Sequence, residues 1–288
     1  KPALAEALPD FRNSKQARSR FLVNGFESRI VNEAPTNRSQ KKRAADGLLS
    51  ATIALAIWQA VVSVGQMPRF ILPGPLDVVQ SLIGNAGLIA ENAAATIGEV
   101  LGGLVLGSAV GIATAIGLMM SPLAQRLVMP AMVFSQAIPI FALAPILTLW
   151  LGYGPASKIA VTVLMIFFPV VSTFFDGMRR TESSLIDAAE ILGAGPLAIL
   201  FRIRIPAAFP SLASGLSLAA VYAPIGAVVG EWVGASKGLG YLMLLANGRA
   251  KVDLMFACLF VLAAFTMLLH STVSHFARKL AAWPQKAT

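Results

Sequence analysis

Two histidines, three carboxylates and one cysteine are the residues of this chain whose types could do chemistry in or beside its apolar runs. His270 and His275 lie five residues apart, whereas one helical face needs a spacing of three or four. No carboxylate stands beside them in sequence, so they read as residues at a membrane interface and not as metal ligands or a catalytic pair. Glu99, Asp176 and Glu231 stand near the ends of apolar runs, where an interfacial or helix-terminal charge is the ordinary reading. Ionisable groups buried in lipid are costly and mark ion pathways, so the alternative class is an ion-coupled secondary carrier. The single cysteine, Cys258, excludes an internal disulfide and reads as a small buried hydrophobe. The chain has no GxxxxGK[ST] phosphate cradle and no GxGxxG, HExxH or CxxC pattern. No enzyme reading has residues to stand on, and no metal or cofactor is expected on this chain.

What must position these residues is membrane-spanning helix. The chain has 288 residues, 56% hydrophobic and 13% charged, a balance too apolar for a soluble domain. A hydrocarbon core of about 30 Å needs roughly 20 apolar helical residues. Six charge-free intervals qualify: 47–68, 100–125, 127–157, 159–175, 205–230 and 254–277. The interval 78–90 is also uncharged but short, and it carries Gln80, Ser81 and Asn85, so it reads as an interfacial helix. The expected fold is all-α and integral to the membrane, with six transmembrane helices.

The net charge of +9 is a topology signal and not a nucleic-acid footprint. With the N-terminus inside, 18 of the 23 Lys and Arg fall in inner segments, ten of them before residue 46. Both termini are therefore expected in the cytoplasm. Residues 1–45 are expected to form a basic, disordered tail, with Phe21, Leu22, Phe26 and Ile30 as a weak amphipathic turn toward lipid. The chain opens on Lys1 instead of Met, as a trimmed chain would. Residues 46–280 form the six-helix domain and 281–288 a second cytoplasmic tail.

Between the fourth and fifth spans lies a polar stretch written as helix, turn, helix. Ser184 and Asp187 make an S-x-x-D pair that predicts a helix starting at Leu185. Gly193 is placed to stop it, and Pro196 suits the first turn of a second short helix ending near Ile205-Pro206. Ala188 and Ala189 leave one side of the first helix nearly bare, which permits close docking. This stretch resembles the EAA---G---------I-LP loop by which ABC importer permeases grip their ATPase. Asp187, Ala188, Ala189, Gly193, Ile203 and Pro206 stand at the matching spacings, with Asp187 and Ile205 as conservative departures.

The resemblance covers about residues 47–280. The string Phe70-Ile71-Leu72-Pro73-Gly74-Pro75 resembles the LPSP-type signature of the nitrate/sulfonate/taurine subfamily. Val229-Gly230-Glu231-Trp232 and Gly238-Leu239-Gly240-Tyr241 resemble the same subfamily, especially its thiamine-pyrimidine-precursor branch. It implies a permease of a bacterial inner membrane that works as a homodimer in lipid. It implies ATPase subunits holding ATP and magnesium, and an extracytoplasmic solute-binding protein. The solute it implies is small: a pyrimidine precursor, or nitrate, taurine or a sulfonate.

Elsewhere the spans carry their own marks. Gly103, Gly107 and Gly111 form one GxxxGxxxG ridge, and Gly226, Gly230 and Gly234 another; small residues at this spacing let helices approach closely in lipid. The third span is broken by Pro130, Pro139 and Pro145, with Ser135 and Gln136 near its middle, and Pro169 and Pro224 interrupt the fourth and fifth. Candidates for the translocation path are Gln136, Pro139, Pro145, Tyr222 and Glu231.

Overall fold

The computed structural model describes residues 37–282; the expected N-terminal tail up to residue 36, its amphipathic turn included, and residues 283–288 lie outside the described residues. The chain divides into two units, Lys1–Val61 and Val62–Thr288. In the first, helix α1 (Asn37–Val64, running on into the second unit) supplies a stretch, Ala45–Val64, long and apolar enough to cross a membrane.

The second unit opens with a turn and helix α2 (Pro75–Gly84). The amides of Ile71 and Leu72 both donate to the carbonyl of Pro68, at 2.8 and 3.1 Å, which curls the chain before Pro73. Gly74 then caps α2: its amide donates to Asp77 Oδ2 at 3.1 Å, and Pro75 supplies a fixed φ where no amide is needed.

Helices α3 (Ala86–Met120), α6 (Pro155–Arg179), α10 (Phe209–Gly234) and α12 (Val252–Ala281) are each long and apolar enough to span. Between α3 and α6 the chain makes α4 (Pro122–Ser135) and α5 (Ile140–Leu151), bent by 102° across residues 136–139. The expected third span, 127–157, is thus two half-length helices. Pro139 forces the break, because its ring lacks an amide and disfavours helix at the residue before it. The described residues hold five spanning helices, or six if the bent pair crosses once.

The second span also differs from its charge-free interval. Helix α3 starts at Ala86, so the residues at the end of the 78–90 interval belong to a spanning helix and not to an interfacial one. Counting charge-free residues missed this because Glu91 and Glu99 lie inside the helix.

Helix α6 is the centre of the fold; the first glycine ridge faces it throughout, and the second faces it at Gly226 and Gly230 before Gly234 meets Thr148 of α5 and Tyr153. A Cβ on Gly103 would collide with the Thr162 side chain, on Gly107 it would fall 2.7 Å from Ile166, and on Gly111 2.9 Å from Val170. A Cβ on Gly226 would lie 2.8 Å from the Cα of Thr162, on Gly230 3.0 Å from that of Lys158, and on Gly234 2.8 Å from Thr148. The first register rises along α6 and the second falls, so α3 runs parallel to α6 and α10 antiparallel. For α3 and α6 to be parallel, the bent pair between them must return the chain to its starting side. Thr162 is gripped from both flanks, is fully buried, and satisfies its hydroxyl by donating to Lys158 O at 2.9 Å.

Replacing Gly226 by Val should destabilise the helix sandwich by about 1–3 kcal/mol, the usual cost of overpacking. The thermal midpoint of the detergent-solubilised protein reads it. Gly117→Val is the matched control, since a Cβ there meets nothing within 4 Å.

Candidate functional site

The polar loop between α6 and α10 folds as two short helices, α7 (Ser183–Ile191) and α8 (Pro196–Ile199). Helix α7 begins two residues earlier than expected, with Glu182 at its N-cap and no side-chain cap. The Ser184 hydroxyl donates instead to Glu182 Oε1 at 2.6 Å, because its own backbone is already helical. The helix end follows the expectation. Gly193 takes φ +81°, its amide donates to Glu190 O at 2.9 Å, and Ala194 N donates to Ala189 O at 2.9 Å. That pair of bonds is a Schellman turn, in which glycine adopts the left-handed backbone cheaply. Pro196 opens α8, which passes into a π-helical turn, Leu200–Arg204, and then α9 (Ile205–Ala207).

No residue of α7 is buried. Asp187, Ala188 and Gly193 are exposed, Ala189, Ile203 and Pro206 half-buried. Ile191 and Leu192, 87% and 86% exposed, stand at the tip beside the glycine turn. They put two large apolar side chains on an otherwise polar loop. The roots of the loop are packed hard: a Cβ on Gly177 would lie 2.5 Å from Ser211, and Ala208 is fully buried.

A cavity of about 540 Å³ lies between the α4–α5 bend, α6 and α10. Gln136, Pro139 and Tyr222 all line it, joined by Ser135, Phe168 and Thr173, and no lining residue carries a charge. Pro145 and Glu231 do not line it: Pro145 is exposed within α5, and Glu231 is 1% exposed elsewhere.

Glu231 belongs to a cluster that reverses the reading of Glu99 and Glu231 as span-end charges; Asp176 alone of the three is exposed. Its Oε1 accepts from Thr96 Oγ1 at 2.6 Å, and its Oε2 accepts from the amides of Gly240 at 2.5 Å and Tyr241 at 3.2 Å. Thr96 Oγ1 in turn accepts from Leu239 N at 2.7 Å, and Asn92 Oδ1 accepts from Gly238 N at 2.9 Å. These four amides are the unpaired first donors of α11 (Leu239–Gly248), so side chains from α3 and α10 cap that helix from outside it. Its positive end also favours a carboxylate. Gly238 sits at φ +126°, where a Cβ would run into the Glu231 carboxyl group.

Lys158, the charge that separates the intervals 127–157 and 159–175, is 1% exposed inside α6. Its ammonium donates to the carbonyls of Tyr153 at 2.6 Å, Gly154 at 3.1 Å and Gly234 at 2.7 Å, tying the α5–α6 turn to the end of α10. Glu99 lies beside both Lys158 and Glu231. On the rim, Lys237 donates to Glu91 Oε1 at 2.7 Å, and that bond raises the ammonium above its ordinary range. The stretch 234–238 has the spacing GxSxG, yet it links two helices, whereas a nucleophile elbow joins strand to helix.

Residues 89–282 match the family of binding-protein-dependent transport system inner membrane components. The chain belongs to that family. The permease is 46% identical to a probable ABC transporter permease protein of Haemophilus influenzae, over 81% of this chain and 95% of that one. It is 32% identical to the formylaminopyrimidine transport permease protein ThiX of Halalkalibacterium halodurans, over 85% and 98%. Its fold matches a chain of the MetNI methionine ABC transporter in an inward-facing conformation, with a TM-score of 0.60, 18% identity, and coverage of 68% and 98%. It is a multi-pass membrane subunit of an ABC importer and not an ion-coupled carrier.

Sequence reasoning located the loop's two helices and named three residues that line the cavity, Gln136, Pro139 and Tyr222, but missed the capping cluster. Asn92, Thr96 and Lys158 gave one usable signal: Lys158 alone interrupts an otherwise uncharged stretch from 127 to 175. Glu231→Leu should strand the donors of Thr96, Gly240 and Tyr241, at about 1–3 kcal/mol for each buried donor. Glu231→Gln keeps an acceptor oxygen and should lose less. Thermal unfolding of the two variants in one detergent orders them.

Proposed function

We propose that the loop at 183–207 is where a cytoplasmic ATPase subunit docks, and that the uncharged cavity lies on the path of a small solute. The exposed Ile191-Leu192 tip beside the Gly193 turn carries this reading. It is an apolar surface on a polar loop, at the spacing of the ATPase-gripping pattern. Asp187, Ala188 and Ala189 give the partner a low, bare helix face. Ile203 and Pro206 return the chain toward the membrane.

The loop runs directly from α6 to α10, two walls of the cavity, and its roots are in close contact at Gly177 and Ser211. A pull on the loop therefore acts on both walls together. In this reading the chain is a non-catalytic subunit. ATP and magnesium sit on the ATPase, and closure of its dimer turns the cavity outward to receive solute. Two copies of the permease in lipid form the pathway, with both termini in the cytoplasm of a bacterium. An extracytoplasmic binding protein delivers the solute, for which the relative named for formylaminopyrimidine suggests a pyrimidine precursor.

Gly193→Pro cannot take the positive φ that the turn requires, and Ala189→Trp puts a large ring on the bare face. Each should lower ATP-driven solute uptake at least tenfold while the amount of protein in the membrane is unchanged. Normal uptake by either variant would falsify the docking assignment.

A further inference from the structure

At the end of the bundle opposite the α7–α8 loop, cations gather where α11 hands the chain to α12. Lys237, Arg249 and Lys251 line a cavity of about 330 Å³ that shares no residue with the 540 Å³ one. Glu91 is the one carboxylate in its lining, and Lys237 already binds that group at 2.7 Å. Asp253, the acid nearest along the chain, lines a separate cavity with Arg69 and Asp77. Arg249 and Lys251 are exposed and form no ion pair among the described residues, so the recess holds uncompensated positive charge.

The backbone fixes these two cations in place. Helix α11 ends in a Schellman turn, in which Ala250 N donates to Asn247 O at 3.0 Å and Lys251 N to Ala246 O at 2.9 Å. Ala250 takes φ +55°, the left-handed conformation that glycine adopts at lower cost. Arg249 and Lys251 flank that residue, and Lys251 immediately precedes the spanning helix α12. Cations at the mouth of a spanning helix lie at the depth of lipid headgroups.

Apolar surface continues directly from the charge. Leu88, Leu245 and Leu254 line the same cavity. Tyr241, Leu245 and Arg249 also line a second cavity of about 350 Å³, completed by Leu244 and Gly248. Arg249 therefore borders both a cationic recess and one whose other lining residues are uncharged. A free anion or an acidic protein side chain fills only the first. A phospholipid fills both, with its phosphate and an acyl chain.

We propose that this recess binds an anionic phospholipid from the leaflet opposite the α7–α8 loop. The Arg249 guanidinium forks onto the phosphate with the Lys251 ammonium beside it. An acyl chain runs along Leu244 and Leu245. The lipid braces α11 against α3 and α12 at the end of α11 that Glu231 does not cap.

The test titrates the detergent-purified permease–ATPase complex with dioleoyl phosphatidylglycerol or dioleoyl phosphatidylcholine and counts bound lipid by native mass spectrometry. Phosphatidylglycerol should bind at least tenfold more tightly. Arg249→Gln combined with Lys251→Gln should weaken it tenfold or more, leaving phosphatidylcholine binding and the lipid-free thermal midpoint unchanged. Arg126→Gln removes an exposed cation at the other end of the bundle and should change neither lipid. Glycerol phosphate at millimolar concentration should not displace the lipid. Four results overturn the proposal. The two lipids bind equally; Arg126→Gln weakens phosphatidylglycerol as much as the double variant does; or glycerol phosphate displaces the lipid, which makes this a free-anion site. The fourth is phosphatidylglycerol binding indifferent to the double variant, which makes the cations a protein-docking surface if the solute-binding protein then fails to attach.

Discussion

Everything in this permease depends on how closely α3 and α10 approach α6. In lipid there is no hydrophobic drive to bring helices together, so contact must come from dispersion over short distances. Gly103 and Gly226 bring their helix backbones against opposite sides of Thr162, and the ridges continue the contact for several turns. A side chain at either position would open the sandwich. The buried Thr162, Ile166 and Val170 would then lose the tight packing that substitutes for a water-driven core.

On that frame two kinds of polar structure are mounted at opposite ends. One end carries buried charge. Glu231 caps α11 in trans, and Lys158 holds three carbonyls from the α5–α6 turn and the end of α10. Each ion is surrounded by hydrogen-bond partners, the condition under which buried charge is tolerable. The other end carries the exposed α7–α8 loop, which exposes apolar side chains where the first end hides polar ones. Between them the cavity borrows walls from both rigid helices and from the bend at Pro139, where the backbone leaves helix.

The loop was legible in sequence because its signals are local. Gly193 stops α7 whatever surrounds it, since its neighbours lack its access to positive φ, and Pro196 starts α8 for an equally local reason. Ser184 misled for the complementary reason. A hydroxyl three residues before a carboxylate resembles a cap, but whether it caps depends on where the backbone turns helical, and here that is already Ser183. The cavity was half legible. Gln136 and Pro139 announce irregular backbone in an apolar run, whereas Ser172 and Thr173 look like ordinary helix residues until α10 brings Tyr222 opposite them.

From its own residues the chain determined its class. Apolar length sets the spans, the spacing of glycine sets which helix faces can touch, and proline sets where the third crossing breaks. These are properties of single segments, fixed by solvent and backbone sterics. Only the tertiary structure decided the fate of the charges. Glu99, Glu231 and Lys158 stand far apart in sequence, and each alone reads as a residue at a membrane surface. Burial of Glu231 and Lys158 is tolerable only when α3, α6, α10 and α11 converge, because partners that satisfy them lie on other elements, whereas Glu99 keeps one buried carboxyl oxygen without a hydrogen-bond partner.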